Sequence, residues 1–277
     1  AHFHAYTNVY KTKKLYTLKM NEKLDIISVY AIYIQNDHTL WIGTNGFGLY
    51  KLTIDRSKTP YEVTEYKQFI YQDHNKKGLS NNVIFSIIPD DHNGLWIGTR
   101  GGGLNHLDTH TYTFTTYRFS EKEMSSISNN DIITLYKDPD HQLWIGTSLG
   151  LNLMQKDEKG TISFKHYTEK DGMPNNTIHG IQADNDGNIW ISTNKGLGKL
   201  SKNNDKIISY YQNDGLQNNE FSDGASYKSS YTNNLFFGGI NGYNKFDPQS
   251  IPETTFSPRL NFDDFLINNE NADIRKF

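Results

Sequence analysis

Short apolar runs and turn residues alternate along this chain, and one combination of them recurs five times. Leu40-Trp41-Ile42-Gly43-Thr44 returns as Leu95-Trp96-Ile97-Gly98-Thr99 and as Leu143-Trp144-Ile145-Gly146-Thr147. It then changes to Ile189-Trp190-Ile191-Ser192-Thr193 and finally to Leu235-Phe236-Phe237-Gly238-Gly239. The anchor aromatics Trp41, Trp96, Trp144, Trp190 and Phe236 stand 55, 48, 46 and 46 residues apart. A period of roughly 40–50 residues marks a propeller or a solenoid, whose units bury their apolar faces against one another.

The second unit shows the local grammar. Residues 82–88 are an apolar run that fits a strand buried on both faces. Residues 89–94, with Pro89, Asp90, Asp91, Asn93 and Gly94, are turn chemistry. Residues 95–99 predict a second strand, residues 100–103 a glycine-rich loop and residues 104–107 a third strand. Residues 112–119 alternate more evenly with polar side chains and predict an outer strand. Two positions before each second strand stand His38, Asn93, His141, Gly187 and Asn233, residue types that are enriched at positive φ and suit tight hairpins. Four antiparallel strands per unit, apolar first and amphipathic last, describe a propeller blade running from axis to rim. No stretch has sustained helical apolar spacing, which excludes an α-solenoid. The expected fold class is therefore all-β, a β-propeller with five four-stranded blade repeats.

The ends depart from the repeat. Residues 14–19 alternate like an outer strand with no inner strands before them, so residues 1–20 are read as the outer strand of a preceding or closing blade. The fifth unit offers only three strand candidates before the pattern stops at Asp247-Pro248. The propeller is assigned residues 21–247. Residues 248–277 open with Pro248, Pro252 and Pro258, a linker signature, and then alternate like a strand from Arg259 to Ile267.

Composition narrows the function classes. The 277 residues carry a net charge of -3 with both signs interspersed, which argues against nucleic-acid and anionic-membrane partners. No apolar run approaches the roughly 18 residues that span a bilayer. The 18 Tyr and 15 Phe suit strands, and the absence of cysteine excludes disulfides and thiol chemistry.

Leu-Trp-Ile-Gly-Thr followed by a Gly-Leu pair, as at Gly103-Leu104 and Gly150-Leu151, resembles the two-component regulator propeller repeat. So do the openings Gly78-Leu79-Ser80-Asn81-Asn82 and Gly215-Leu216-Gln217-Asn218-Asn219. The tail Ser257-Pro258-Arg259-Leu260-Asn261-Phe262-Asp263-Asp264-Phe265 resembles the first strand of the immunoglobulin-like triple-tyrosine domain that follows such propellers. The resemblance implies a periplasmic sensor region of a membrane-anchored hybrid histidine kinase. It implies an oligosaccharide ligand, control of polysaccharide-utilisation genes, a homodimeric parent, and a fragment of a larger, typically seven-bladed ring. The kinase would lie outside this chain, and the fragment itself would be soluble.

The tryptophans recur at one position of an apolar strand, so packing between blades is favoured over sugar stacking. Asp184-Asn185-Asp186-Gly187-Asn188 looks like a shortened calcium loop, but it lacks the terminal bidentate Glu and its counterparts are plain turns. His106 and His110 flank a strand and a turn, a poor zinc spacing. No metal, cofactor or catalytic set is expected. The variable positions of the loops between second and third strands are better candidates, and Asn45, Phe47, Arg100, Lys195 and Asn241 are read as ligand-binding. These loops share a face with the connections between blades. A propeller hydrolase or lyase, and a protein-interaction scaffold, are the alternatives. An enzyme would need convergent carboxyls, and only Glu220 lies near the mouth of an inner strand.

Overall fold

The computed structural model describes residues 4–6, 15–20, 28–58, 61–251, 266–267 and 270–271. Blade 1 consists of Val29–Asn36, Thr39–Thr44, Leu49–Asp55 and Tyr61–Phe69. Blade 2 consists of Ile84–Pro89, Leu95–Thr99, Gly103–Asp108 and Thr113–Tyr117. Blade 3 runs through Ile132–Lys137, Leu143–Thr147, Gly150–Lys156 and Ile162–Tyr167. Blade 4 runs through Ile178–Ala183, Ile189–Thr193, Gly196–Leu200 and Ile207–Tyr210. Blade 5 has three strands among the described residues, Phe221–Lys228, Leu235–Gly239 and Gly242–Phe246. Every blade is an antiparallel meander, and each inner strand packs on the next, in the arrangement of a β-propeller. Among the described residues helix is confined to three single 3-10 turns.

The segment read as a terminal outer strand forms Leu15–Met20 and runs parallel to the outer strand of blade 1, with Leu18 opposite Tyr61. The tail motif at residues 257–265 lies outside the described residues. Leu266–Ile267 and Glu270–Asn271 pair as a short ladder.

The recurring words now have physical meanings. Each Trp leaves its blade on the face toward the next one. Trp41 is fully buried among Ile84, Ile87, Leu95 and Ile97 of blade 2, and Trp190 among Phe221, Leu235 and Phe237 of blade 5. Each indole also meets the aromatic that ends its own outer strand. The ring pairs are Trp41–Phe69, Trp96–Tyr117, Trp144–Tyr167 and Trp190–Tyr210, all with centroids 5.6–6.0 Å apart. Packing, not sugar stacking, occupies these rings.

The glycine after each Trp-Ile makes room for the following blade. A Cβ on Gly98 would stand 2.7 Å from Ile132 Cγ2, and one on Gly146 would stand 2.7 Å from Ile178 Cγ2. Blade 4 solves the same problem from the other strand. Ser192 replaces the glycine, and its cross-strand partner is Gly180. Gly98→Ala should therefore overpack the blade 2–3 interface and cost about 1–3 kcal/mol. A urea unfolding midpoint equal to wild type would show that this interface yields freely.

The turn expectation holds at three of its five places. Asn93, His141 and Gly187 have φ of 66°, 63° and 81°, but His38 and Asn233 are not left-handed. In blade 1 the strands pair out to Asn36 and Thr39, so the turn is shorter, and Asn36 Oδ1 accepts the His38 amide at 2.9 Å. In blades 2, 3 and 4 an Asp closes the turn, and in blade 5 Ser229 Oγ accepts the Tyr231 and Thr232 amides. Asp184 Oδ1 accepts the amides of Asp186 and Asn188, while Oδ2 accepts the Trp190 indole N–H at 2.9 Å. The calcium-like stretch is thus committed to turn closure. Asp138 does the same for Trp144. In blade 2, Asp90 Oδ2 instead bonds His106 Nε2 at 2.7 Å, and that ring packs 4.5 Å from Trp96.

Candidate ligand-binding site at the loop face

Three repeated positions converge where the inner strands begin. The first is a β-bulge. In blades 1 to 4 the ladder slips by one residue, between Val29 and Ala31, Ile84 and Ser86, Ile132 and Thr134, and Ile178 and Gly180. The inserted residues are Tyr30, Phe85, Ile133 and His179. Blade 5 has a wider irregularity between Phe221 and Ser226, and it contains Asp223. Bulges re-aim side chains and recur beside functional sites.

The second position follows an Asn pair in the connection between blades. The first Asn of each pair accepts the amide two residues on: Asn81 from Val83, Asn129 from Asp131, Asn175 from Thr177 and Asn218 from Glu220. The second Asn holds the start of the connection, as where Asn130 Oδ1 accepts the Phe119 amide at 2.8 Å. The frame is constant, and the residue it presents changes from Val83 to Asp131, Thr177 and Glu220.

The third position directly follows the Thr that ends each second strand. That Thr is spent on its own loop, donating to the carbonyl of Gly48, Gly103, Gly150 or Gly196 at 2.7–2.9 Å. The next residue is Asn45, Arg100, Ser148 or Asn194.

These positions form one cluster drawn from all five blades. Tyr30 stacks on Phe85 with centroids 5.0 Å apart and planes 5° apart. The Arg100 guanidinium lies 5.6 Å from the Phe85 ring, and its Nε stands 3.9 Å from Asp131 Oδ1. His179 Nδ1 meets Asp223 Oδ1 at 2.5 Å, and its Nε2 meets Asn194 Oδ1 at 2.7 Å. Asp223 also feels the charges of Arg100 and Asp131. Asp131 Oδ1 is buried and accepts no hydrogen bond.

The electrostatics follow from this arrangement. Burial opposes a charge on His179, but the hydrogen bonds to Asp223 and Asn194 outweigh it and hold its pKa above the ordinary imidazole value. The hydrogen bond from His179 lowers Asp223 against the effect of burial. Burial raises Asp131, opposed by Arg100 and reinforced by Asp223. The His179 contribution to stability is complete below about pH 6.5 and is lost as pH rises through its higher folded value. The Asp223 contribution is present above the ordinary carboxylate value and is lost as pH falls through its depressed folded value. An NMR titration of the His179 ring should give a midpoint above 6.5 in wild type, shifted downward in Asp223→Asn. A wild-type midpoint at or below 6.5 would contradict the double hydrogen bond.

The residues expected from sequence are only partly brought together. Arg100 joins the cluster. Asn45 lies on the same loop face, bridged through its backbone to Val83. Phe47 packs against the apolar cluster of blade 1. Lys195 is exposed, and its side chain makes no hydrogen bond or ion pair among the described residues. Asn241 is exposed, and its amide donates to Gln217 Oε1 at 2.8 Å. Tyr30, Phe85, Asp131, His179, Asn194 and Asp223 escaped the sequence reading, while Glu220 had been noted. Counted forward from the Thr, as Asn45 and Arg100 are, the position in blade 4 is Asn194, one residue before Lys195.

A concavity of about 250 Å³ lies elsewhere, between blades 3 and 4, on the face of the inner hairpins. Its charges pair internally, as Lys165 with Asp205 and Lys202 with Asp140, and the Tyr167 hydroxyl donates to Asp205 at 3.0 Å. The mouth of the inner strands, with an unsatisfied acceptor, is the stronger candidate. Among the described residues no group of three or more His, Asp or Glu is placed to hold a metal ion. No helix among them is long and apolar enough to cross a membrane.

Comparison with known proteins agrees with the architecture. Residues 78–101, 126–148 and 172–195 match the model of the two component regulator propeller family. Histidine kinase P4 of Formosa agariphila is 28% identical over 274 residues, covering 96% of this chain and 19% of that protein. The extracellular domains of two hybrid two component systems of B. thetaiotaomicron share the fold. One has a TM-score of 0.64 at 24% identity, covering 89% of this chain and 32% of that one. The other also has a TM-score of 0.64, at 22% identity, covering 83% and 31%. The chain thus spans about a fifth of the curated relative and a third of the solved domains.

Proposed function

We propose that this propeller is the ligand-recognition part of an extracytoplasmic sensor belonging to a membrane-bound hybrid histidine kinase. Its ligand is an oligosaccharide, and occupancy of the loop face controls genes for polysaccharide use. The observation that carries the reading is the mouth itself: a repeated frame presents a different polar or aromatic residue from every blade. Aromatic walls with a few convergent polar groups are how small-ligand sites are built. The repeat family and the name of the curated relative support the signalling context. Periplasmic placement, a homodimeric parent and an immunoglobulin-like domain beginning in residues 248–277 belong to the same proposal. A glycan array on the purified chain, followed by calorimetry on the hits, tests it. Binding to a defined glycan class is expected, without release of reducing ends.

A second reading has one observation in its favour. Asp131 and Asp223 interact, and their surroundings push their carboxyl groups in opposite directions, as in acid/base pairs. Against it, Asp223 is tied to His179, and Arg100 stands beside Asp131. Reducing-end release by wild type that disappears in Asp131→Asn would establish a hydrolase instead.

A further inference from the structure

The mouth is chemically two-sided. Blades 1 and 2 supply Tyr30 and Phe85, stacked with nearly parallel planes, and Tyr30 remains 44% exposed. Blades 3 and 5 supply the carboxylates Asp131, Asp223 and Glu220. The two basic side chains that join these groups among the described residues are already engaged. His179 bonds Asp223 and Asn194, and Arg100 lies over Phe85 beside Asp131. What is left over is acceptor capacity. Asp131 Oδ1 accepts no hydrogen bond among the described residues, but solvent does not reach it and Arg100 Nε stands 3.9 Å away. The Asp131 side chain as a whole stays 29% exposed, and the exposed Glu220 side chain makes no hydrogen bond among the described residues. A carboxylate accepts at both oxygens, so a ligand that donates to these exposed parts gains hydrogen bonds.

We propose that the mouth is a subsite for an uncharged sugar ring. Its hydroxyls donate to Asp131 and Glu220, and its C–H face lies against the Tyr30–Phe85 wall. This deepens the saccharide reading above and rests on it. The chemistry follows from the inventory of groups. A hydroxyl donates where a carboxylate or sulfate cannot, and a pyranose ring has an apolar face and a polar edge. An acidic substituent placed here would face three carboxylates and would have to take Arg100 from Asp131. Arg100 then orients Asp131 instead of gripping an acidic ligand, contrary to what its residue type alone suggests. Binding of this kind depends little on salt, because no net charge is neutralised.

The test is calorimetry with neutral oligosaccharides (gluco-, galacto-, manno- and xylo-) and with their uronate-bearing and sulfated counterparts, each at low and high salt. At least one neutral glycan should bind, with an affinity that changes less than about threefold between the salt conditions. Asp131→Asn should weaken that glycan about tenfold or more, the scale of a lost hydrogen bond to a charged group. Glu220→Gln, at an exposed position, should weaken it less and leave the melting temperature unchanged. If only acidic glycans bind, with affinity falling steeply in salt and rising in Asp131→Asn, the subsite takes an anion through Arg100. The saccharide reading would then stand and the present inference would fall. Neutral binding that is indifferent to both substitutions would also overturn it. If no glycan binds, the saccharide reading itself fails, and this inference with it.

Discussion

Trp190→Ala is expected to lower the unfolding free energy by about 3–5 kcal/mol. The ring is 1% exposed and joins Leu197 to Phe221, Leu235 and Phe237 of the next blade. Its removal leaves a cavity between two blades, where neither sheet can collapse without dragging its ladder along. It also strips Asp184 Oδ2 of the indole donor, leaving that buried carboxylate oxygen only the Asn188 side-chain amide at 2.9 Å. Urea denaturation followed by circular dichroism reads the effect, with Lys195→Ala as the exposed comparison that should stay within about 0.5 kcal/mol of wild type. Equal midpoints for Trp190→Ala and wild type would remove inter-blade packing as the source of stability.

The second large effect is on binding. Arg100→Ala should cost about 1–3 kcal/mol of ligand affinity, while Lys195→Ala should cost none. Arg100 touches Phe85 and Asp131, so its loss releases both walls of the mouth. Lys195 stands one residue past the position that reaches the cluster. The Arg100 side chain is 63% exposed, so the fold should survive its truncation. Calorimetry with any glycan that binds decides the point. Equal losses in both variants would move the site outward along the loop face.

The architecture was open to reading because every blade repeats the same physical solution. The apolar run and the second strand recur in all five units, the Trp and the outer aromatic in four and the Asp-closed turn in three, so weak signals add in register. The mouth was harder to read for the same reason. A bulge leaves no mark on composition: Tyr30, Phe85, Ile133 and His179 look like ordinary members of apolar strands until the ladder shows each to be inserted. Loop length hid the third position. Blades 1 and 2 have one more residue between Thr and Leu than blades 3 and 4, so only the count forward from Thr puts Asn194, and not Lys195, level with Arg100. Asp131 resembled a turn residue because it follows Ser-Asn-Asn. Only the hydrogen bond from its own amide to Asn129 shows that the frame holds it in place. Arg100 was legible as a candidate. Its role was not, because the carboxylates that engage it come from blades 3 and 5.

Hydrogen exchange with and without a bound glycan tests the central claim most directly. If the mouth is the ligand site, protection should rise together in the five separate stretches that begin the inner strands. These surround Tyr30, Phe85, Asp131, His179 and Asp223, along with the loops at Arg100 and Asn194. The hairpins on the opposite face should be unaffected. Protection confined to that opposite face, around Asp140, Gln155 and Lys202, would contradict the account and place recognition in the cleft between blades 3 and 4.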